Sequence, residues 1–184
     1  METDLSLWKA ARRMDQTALV TIFDRYAPDL FNYALHLGND PLEADNIVGE
    51  VFTKFLDQLA NGKKFQTNLR SHLYKITYHI LGSGSGFLQQ EASFDLVDIN
   101  LKDGDGHHPR AAIPGGQKLL EKLSLVIRNH LSADQRHVII LRYVEGFSLL
   151  ETAEIIGKEV GDVKAIQSRA IAKLREFLDL EVRA

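Results

Sequence analysis

The sequence predicts an all-α protein with two small helical domains joined by a flexible linker, the C-terminal domain being a helix-turn-helix. Apolar residues recur at helical spacing on both sides of the middle of the chain. Between them, the segment Gly82–Gly116 holds seven of the thirteen glycines and loses helical periodicity. Nearer the C-terminus, Ser132 and Ser148 each begin a capping-box pattern followed by a short apolar run. We therefore expect a domain over residues 1–81, a linker over 82–116 and a second domain over 117–184.

Amino-acid composition restricts the classes of protein to which this chain can belong. Its 184 residues are 45% hydrophobic, which is typical of a globular protein. It contains no cysteine, which excludes disulfides, thiolate metal sites and cysteine nucleophiles and suits a reducing compartment. Met1–Lys9 lacks a basic start followed by an apolar core, and no apolar run is long enough to span a bilayer. We expect a cytoplasmic protein without membrane insertion.

The N-terminal half predicts two helices that meet at Pro28 and a third that begins after Asp40. One apolar stripe ends just before Pro28, and a second continues from there to Gly38. Asp40 can cap the third helix, Pro41 suits its first position, and Glu43 lies near the positive end of its dipole. This helix has the clearest periodicity in the sequence, and it leaves a polar outer face.

A basic segment that contains aromatic residues follows the third helix. No Asp or Glu occurs from Gln58 to Gln90, where Asn68 can cap a fourth helix. Cations interleaved with aromatic rings suit a single-stranded nucleic acid, because the cations neutralise phosphates while the bases stack. An ordinary helix surface could also show this spacing. The candidate single-strand-binding residues are Lys63, Lys64, Arg70, His72, Tyr74, Lys75, Tyr78 and His79.

The C-terminal pattern predicts a helix-turn-helix with a cationic outer face. A helix that begins at Ser132 ends at Glu145-Gly146, a short one runs from Ser148 to Gly157, and a third buries one apolar stripe. Such a helix after a short turn fits the major groove of DNA. A simple three-helix bundle with cations near its helix ends would give a similar pattern. The candidate residues for duplex DNA are Lys158, Lys164, Gln167, Ser168, Arg169 and Lys173.

No sequence feature predicts an enzyme, a metal site or a cofactor. A Gly-rich phosphate loop, a nucleophile elbow and a paired His-Glu metal motif are all absent from the sequence. His107 and His108 are adjacent, so their side chains diverge, and neither a cysteine nor a suitably spaced third histidine is nearby. We expect a non-enzymatic binding protein with no catalytic residues.

Ordered motifs in both halves resemble one family. The C-terminal motifs are Leu131-Ser-Ala-Asp-Gln-Arg136, Glu145-Gly-Phe-Ser148, Glu151-Thr-Ala153, Ile156-Gly157 and Gln167-Ser-Arg-Ala170. They resemble the promoter-reading C-terminal domain of extracytoplasmic-function (ECF) sigma factors. The N-terminal motifs that resemble the same family are Phe23-Asp-Arg-Tyr26, Leu30-Phe-Asn-Tyr33, Ala44–Phe52 and Asn68–Ile76.

The resemblance implies an RNA polymerase sigma factor that directs transcription initiation by binding core RNA polymerase and promoter DNA. In that family, the helix equivalent to Glu43–Leu59 grips the clamp helices of polymerase, and the next helix melts and reads the minus-ten element. The C-terminal domain reads the minus-35 element. The polymerase-binding residues implied here are Asp45, Asn46, Gly49, Glu50 and Lys54.

The chain departs from the family pattern at several of these positions. Asn46 and Gly49 stand where Asp and Gln are usual, and His72 stands where an aromatic residue is usual. The charge-free run Gly82–Gly86 replaces the Asp and the Arg residues that normally end the melting helix. An alternative is therefore a sigma-like or helix-turn-helix regulator that has lost promoter melting and acts through partner binding.

The family is commonly held inactive by an anti-sigma factor inserted between the two domains. We expect this chain either to have such a partner or to pack its own domains together through an apolar patch in the linker. That patch comprises Phe94, Leu96 and Val97.

Overall fold

The computed structural model describes residues 3–62, 68–83 and 125–182, and every regular element within these ranges is helical. The N-terminal half contains α1 (Asp4–Ala11), α2 (Gln16–His36), α3 (Pro41–Ala60) and α4 (Leu69–Ser83). The C-terminal half contains α5 (125–130), α6 (Ala133–Ile139), a π-helical turn (Ile140–Val144), α7 (Leu149–Ile156) and α8 (Val160–Val182). The all-α prediction is confirmed. None of the described helices is both long enough and apolar enough to cross a membrane.

Helix starts follow the capping signals of the sequence. The backbone N–H of Glu43 donates to the side chain of Asp40 at 2.8 Å, and the Asp40 N–H donates to the Glu43 carboxylate at 3.3 Å. Reciprocal bonds of the same kind begin α6 at Ser132 and α7 at Ser148. These three predicted starts are therefore confirmed, and each satisfies backbone donors that a helix start leaves free.

The prediction that a helix ends at Pro28 is wrong. Helix α2 continues through Pro28, which lies on its exposed side. A proline inside a helix costs about 3 kcal/mol because it removes one hydrogen bond and crowds the preceding turn. Four large side chains on the opposite face are buried on either side of the proline, and each stabilises the helix by roughly 1.5–3 kcal/mol. These are Ile22, Tyr26, Leu30 and Tyr33.

The two halves share one core. A single cluster of buried apolar side chains includes residues of α1 to α4 and also Val138, Phe147 and Ile155 of the C-terminal half. Helix α4 lies at the centre, because it packs against α3 on one side and α7 on the other. A smaller cluster around Leu131 and Ile139 lies within the C-terminal half alone. We call the contact between the two halves the seam.

The predicted linker can be compared with the structure only at its start. Helix α4 extends through Gly82 to Ser83, two residues past the expected end of the first domain at residue 81. The rest of the predicted linker, including Phe94, Leu96, Val97 and the His107-His108 pair, lies outside the described residues.

Replacing each of two glycines with alanine should change the stability of the protein in opposite directions, although both glycines have open surroundings. Gly49 lies inside α3 and nothing lies within 4 Å of an added Cβ, so Gly49→Ala should stabilise the protein by about 0.5–1 kcal/mol. Gly157 ends α7 with φ +66°, where an alanine is strained, so Gly157→Ala should destabilise it by about 1–2 kcal/mol. Urea unfolding of the two variants would check both signs. Equal effects would contradict the assigned backbone conformations.

Candidate nucleic-acid and polymerase interfaces

The helix-turn-helix exposes most of the side chains predicted to bind duplex DNA. Gly157 adopts a left-handed conformation that ends α7 and lets the chain turn into α8. Helix α8 buries Val163 and Ala170 against the rest of the C-terminal half. The predicted residues on its exposed side are Lys164, Ser168, Arg169 and Lys173, and Lys158 is exposed just before it.

Gln167 differs from these residues because its amide is already engaged. It is half-buried, its oxygen accepts from Arg142 Nε at 3.3 Å, and its nitrogen donates to the Tyr143 hydroxyl at 2.8 Å. Arg142 also donates to the carbonyl of Phe147. Arg142 and Tyr143 thus lie beside the residues predicted to bind duplex DNA, although the sequence pattern did not select them. They lie on the π-helical turn, whose wider register an α-helical pattern does not predict.

The outer face of α3 is accessible as expected. All five residues implied to meet polymerase are exposed: Asp45, Asn46, Gly49, Glu50 and Lys54. Lys54 and Glu50 form an ion pair of 2.7 Å, one helical turn apart. Such an exposed pair contributes little to stability and leaves the face polar.

Helix α4 presents a different surface from the one that its sequence predicted. Lys75 and Tyr78 are half-buried and His79 is exposed, whereas Lys63 and Lys64 lie outside the described residues. His72 is buried, with its Nε2 2.8 Å from the side-chain oxygen of Gln58. Its ring also lies near those of Trp8 and Phe55.

Tyr74 is completely buried. The expectation that His72 and Tyr74 face outwards is therefore wrong, because His72 packs against α1 and α3 and Tyr74 packs against the C-terminal half.

The seam is built around the carboxylate of Glu145. Arg70 donates to the backbone carbonyl of Glu145 at 2.8 Å and lies 3.5 Å from its carboxylate, and the Tyr74 hydroxyl donates to that carboxylate at 2.5 Å. The guanidinium of Arg70 also lies 4.1 Å from the ring centroid of Phe147. These contacts join α4 to the loop between the π-helical turn and α7.

Further polar contacts extend the seam in both directions along α4. The Asn68 amide donates to the Glu151 carboxylate at 3.3 Å, and the Tyr78 hydroxyl donates to Asp134 at 3.5 Å. Asp134 also pairs with Lys158 at 3.3 Å. Carboxylates of the C-terminal half thus face several donors of α4. Together with Lys158 and Arg169, Asp134 lines an open cavity of about 340 Å³ that carries charges of both signs.

Burial changes the protonation of two groups in or beside the seam. It raises the pKa of Glu145 to about 7, against the opposing effects of Tyr74 and Arg70. It lowers the pKa of His137 to about 4. The His137 ring is therefore neutral near pH 7, and its Nδ1 lies 2.7 Å from the hydroxyl of Tyr33. Tyr33 can donate that hydrogen bond, because its phenol is protonated near pH 7 and burial raises its pKa still further.

The described residues include no group of three or more His, Cys, Asp or Glu side chains arranged to hold a metal ion. The surfaces found are instead a cationic helix face, a polar helix face and an aromatic, hydrogen-bonding seam. Such surfaces suit the recognition of macromolecules.

Comparisons with known proteins agree with this description. Residues 129–176 match the family model of sigma-70, region 4. The ECF RNA polymerase sigma factor EcfG of Rhodopseudomonas palustris (strain TIE-1) is 30% identical over 156 residues, which cover 82% of this chain and 80% of that protein. The ECF RNA polymerase sigma factor SigX of Bacillus subtilis (strain 168) is 24% identical over 168 residues, covering 86% and 82%.

A solved structure has a similar fold. CnrH in complex with the cytosolic domain of CnrY aligns with a TM-score of 0.71 at 21% identity, over 97% of this chain and 99% of that chain. The all-helical arrangement of two halves therefore has a known counterpart.

The pKa values predict how stability changes with pH. Because the pKa of Glu145 is raised, its contribution to the free energy of unfolding is full below pH 4.5 and is lost as the pH rises through about 7. As the pH falls from 8 to 5, the free energy of unfolding of the parent should therefore rise by on the order of 2 kcal/mol relative to that of Glu145→Gln. The lowered pKa of His137 acts oppositely, since its contribution is lost as the pH falls from 6.5 to 4.

Urea unfolding at pH 8, 6.5 and 5 would measure these differences. His137→Gln should lose less stability than the parent as the medium becomes acidic. A difference between the parent and Glu145→Gln that does not change with pH would contradict the buried position of Glu145.

Proposed function

The chain belongs to the ECF RNA polymerase sigma factor family. We propose which of its surfaces binds each partner in transcription initiation. Helix α8 reads a duplex promoter element, α4 contacts a separated DNA strand, and the outer face of α3 binds core RNA polymerase. The observation that carries this proposal is the exposed cationic face of α8, the second helix of the helix-turn-helix, which follows the capped helix α7. Such a face fits the major groove, and a phosphate backbone is its natural ligand.

The residues of α8 divide into two groups by their chemistry. Lys164 and Lys173 carry flexible charges that suit phosphates, whereas Ser168 and Arg169 can also reach base edges. Gln167 acts together with Arg142 and Tyr143, because each of them holds one side of its amide and leaves one N–H and one oxygen lone pair for a base. We infer that these two residues orient the amide.

The role of α4 requires a change in the seam. Arg70, Tyr74 and Tyr78 combine charge with flat rings, as a separated strand requires, but Tyr74 has no exposed surface in the closed chain. Strand binding therefore needs the C-terminal half to move away from α4. We propose that the two halves act as the two domains expected from the sequence, residues 1–81 and 117–184.

The remaining partners follow from the family. CnrH is bound to the cytosolic domain of CnrY in its solved structure, and we propose that this chain likewise has an anti-sigma partner. Its work on promoter DNA places it in the bacterial cytoplasm as a regulator without catalytic activity or cofactor. Neither the comparisons nor the described contacts favour the alternative, suggested by the charge-free run Gly82–Gly86, of a sigma-like protein that has lost promoter melting.

The decisive experiment is transcription by purified core RNA polymerase from a promoter that binds this chain. We expect transcripts that depend on the chain, and an Asp45→Lys variant that is defective because the charge of the α3 face is reversed. A chain that binds promoter duplex but neither binds core polymerase nor supports transcription would contradict the proposal.

Substitutions on α8 should separate base reading from phosphate binding. Lys164→Ala and Lys173→Ala should weaken binding to all duplexes and reduce the salt slope by about 1 each. Gln167→Ala should instead reduce the preference for the promoter sequence, where one base contact discriminates by about 1–3 kcal/mol. Fluorescence anisotropy with promoter and scrambled duplexes would measure both, with the exposed Lys9→Ala on α1 as control. If Gln167→Ala bound both duplexes as the parent does, its base-reading role would be wrong.

A further inference from the structure

The side chains of α4 that face the seam form a regular stripe. Arg70, Tyr74 and Tyr78 are spaced four residues apart, so they recur about every 6 Å along one side of the helix. Each of them has a carboxylate of the C-terminal half as its partner: Glu145 for the first two and Asp134 for the third. The stripe therefore presents cationic and hydroxyl donors to a row of anionic oxygens.

The partners of this stripe resemble two parts of a nucleotide, the phosphate and the base. An arginine binds a carboxylate and a phosphate oxygen by the same charge-assisted hydrogen bonds. Its flat guanidinium also stacks on rings, whether they belong to a side chain or to a base. Arg70 meets both at once, since the Glu145 carboxylate is 3.5 Å away and the Phe147 ring centroid 4.1 Å away. Tyr74 likewise contacts the Phe147 ring edge-on, with centroids 4.8 Å apart.

The geometry also makes the two uses of the stripe exclusive. Tyr74 and Phe147 are almost completely buried against each other's halves, so no ligand can stack on Tyr74 while the seam is closed. Asp134 also links the stripe to the surface proposed to read duplex DNA, because it pairs with Lys158 and accepts a hydrogen bond from Tyr78.

We propose that the α4 stripe is one binding surface with two alternative occupants: Glu145, Phe147 and Asp134 of the C-terminal half in the closed chain, and a nucleic-acid single strand in the open chain. This inference rests on the proposed strand-binding role of α4, and it adds that the chain itself supplies the competitor. Closure then suppresses strand binding without any second protein, and a strand that is bound by α4 holds the chain open.

A covalent bridge across the seam tests this competition directly. Asn68 is exposed and Glu151 half-buried, and their side chains meet across the seam at 3.3 Å. Since the chain contains no cysteine, Asn68→Cys with Glu151→Cys provides the only two thiols. A short bis-maleimide would join them and keep the seam closed. The matched control is the same double variant with both thiols blocked by a monofunctional maleimide, so that the loss of both original side chains is shared.

Binding of a fluorescein-labelled single-stranded DNA would be measured at low salt by anisotropy. We expect the bridged protein to bind at least about tenfold more weakly than the blocked control, because the open state that the strand needs is removed. Equal affinity would overturn the proposal, and so would a blocked control that binds no strand. Helix content by circular dichroism should be the same in both proteins.

A substitution on the competitor's side gives an independent test. Phe147→Leu keeps an apolar side chain but removes the ring that stacks on Arg70 and Tyr74, while leaving α4 unchanged. It should bind the strand about threefold or more tightly than the parent, because closure is weakened. The control is Ile139→Val, a buried change in the cluster that lies within the C-terminal half alone. If the affinity of Phe147→Leu for the strand rose no more than that of Ile139→Val, the C-terminal half would not compete for the stripe.

Transcription with core RNA polymerase separates this inference from the proposed function. An unbridged chain that supports transcription, combined with equal strand binding in the bridged and blocked proteins, would leave the function standing and refute the competition. A chain inactive in transcription whose bridge still blocks strand binding would refute the function and support the competition.

Discussion

One buried carboxylate, that of Glu145, holds the polar part of the seam together. It accepts from the hydroxyl of Tyr74 and faces the guanidinium of Arg70, and both donors belong to α4. The local backbone puts it there. The π-helical turn ends with the Glu145 N–H donating to the carbonyl of Ile140 at 2.9 Å, and Gly146 follows with φ +74°. This turn directs both Glu145 and Phe147 towards the other half of the chain.

The seam combines stabilising contacts with costly ones, and this balance bears on its function. The aromatic contacts of Tyr74 and Phe147 favour closure, as does the burial of their surface. A buried charge pair contributes much less, because desolvation opposes the attraction between the charges. The raised pKa of Glu145 is the direct sign of that desolvation. The closed seam therefore combines buried aromatic surface with a carboxyl group that would gain hydration if the halves separated.

The sequence predicts structural features that depend on residues close together in the chain, such as helix caps. It does not predict contacts between residues far apart in the chain. The capping boxes at Asp40, Ser132 and Ser148 depend on neighbours three residues apart, so their predictions are confirmed. The continuity of α2 through Pro28 depends on packing that no local rule includes. Arg70 and Glu145 are separated by 75 positions, and nothing in the periodicity of either segment indicates that they meet.

The same distinction explains the errors at the candidate sites. Helical periodicity assigns one buried side to α4, and this made His72 and Tyr74 look available to a ligand. His72 is instead covered within the N-terminal half by Trp8 and Phe55, whereas Tyr74 lies on the side that the C-terminal half covers. A helix packed between α3 and α7 has two buried sides, and the second becomes visible only when the C-terminal half is in place. The faces of α3 and α8 that have no such second neighbour are exposed as expected, except at Gln167, which Arg142 and Tyr143 partly cover.

The central claim is that the free chain in solution closes its two halves over α4, and nuclear Overhauser effects between aromatic rings test it most directly. Tyr74 and Phe147 come from different halves, with ring centroids 4.8 Å apart. Tyr33 and Tyr74 both belong to the N-terminal half, with centroids 5.1 Å apart, and serve as an internal reference. The closed arrangement predicts cross-peaks of comparable strength for both pairs. A Tyr33–Tyr74 cross-peak with none between Tyr74 and Phe147 would contradict it.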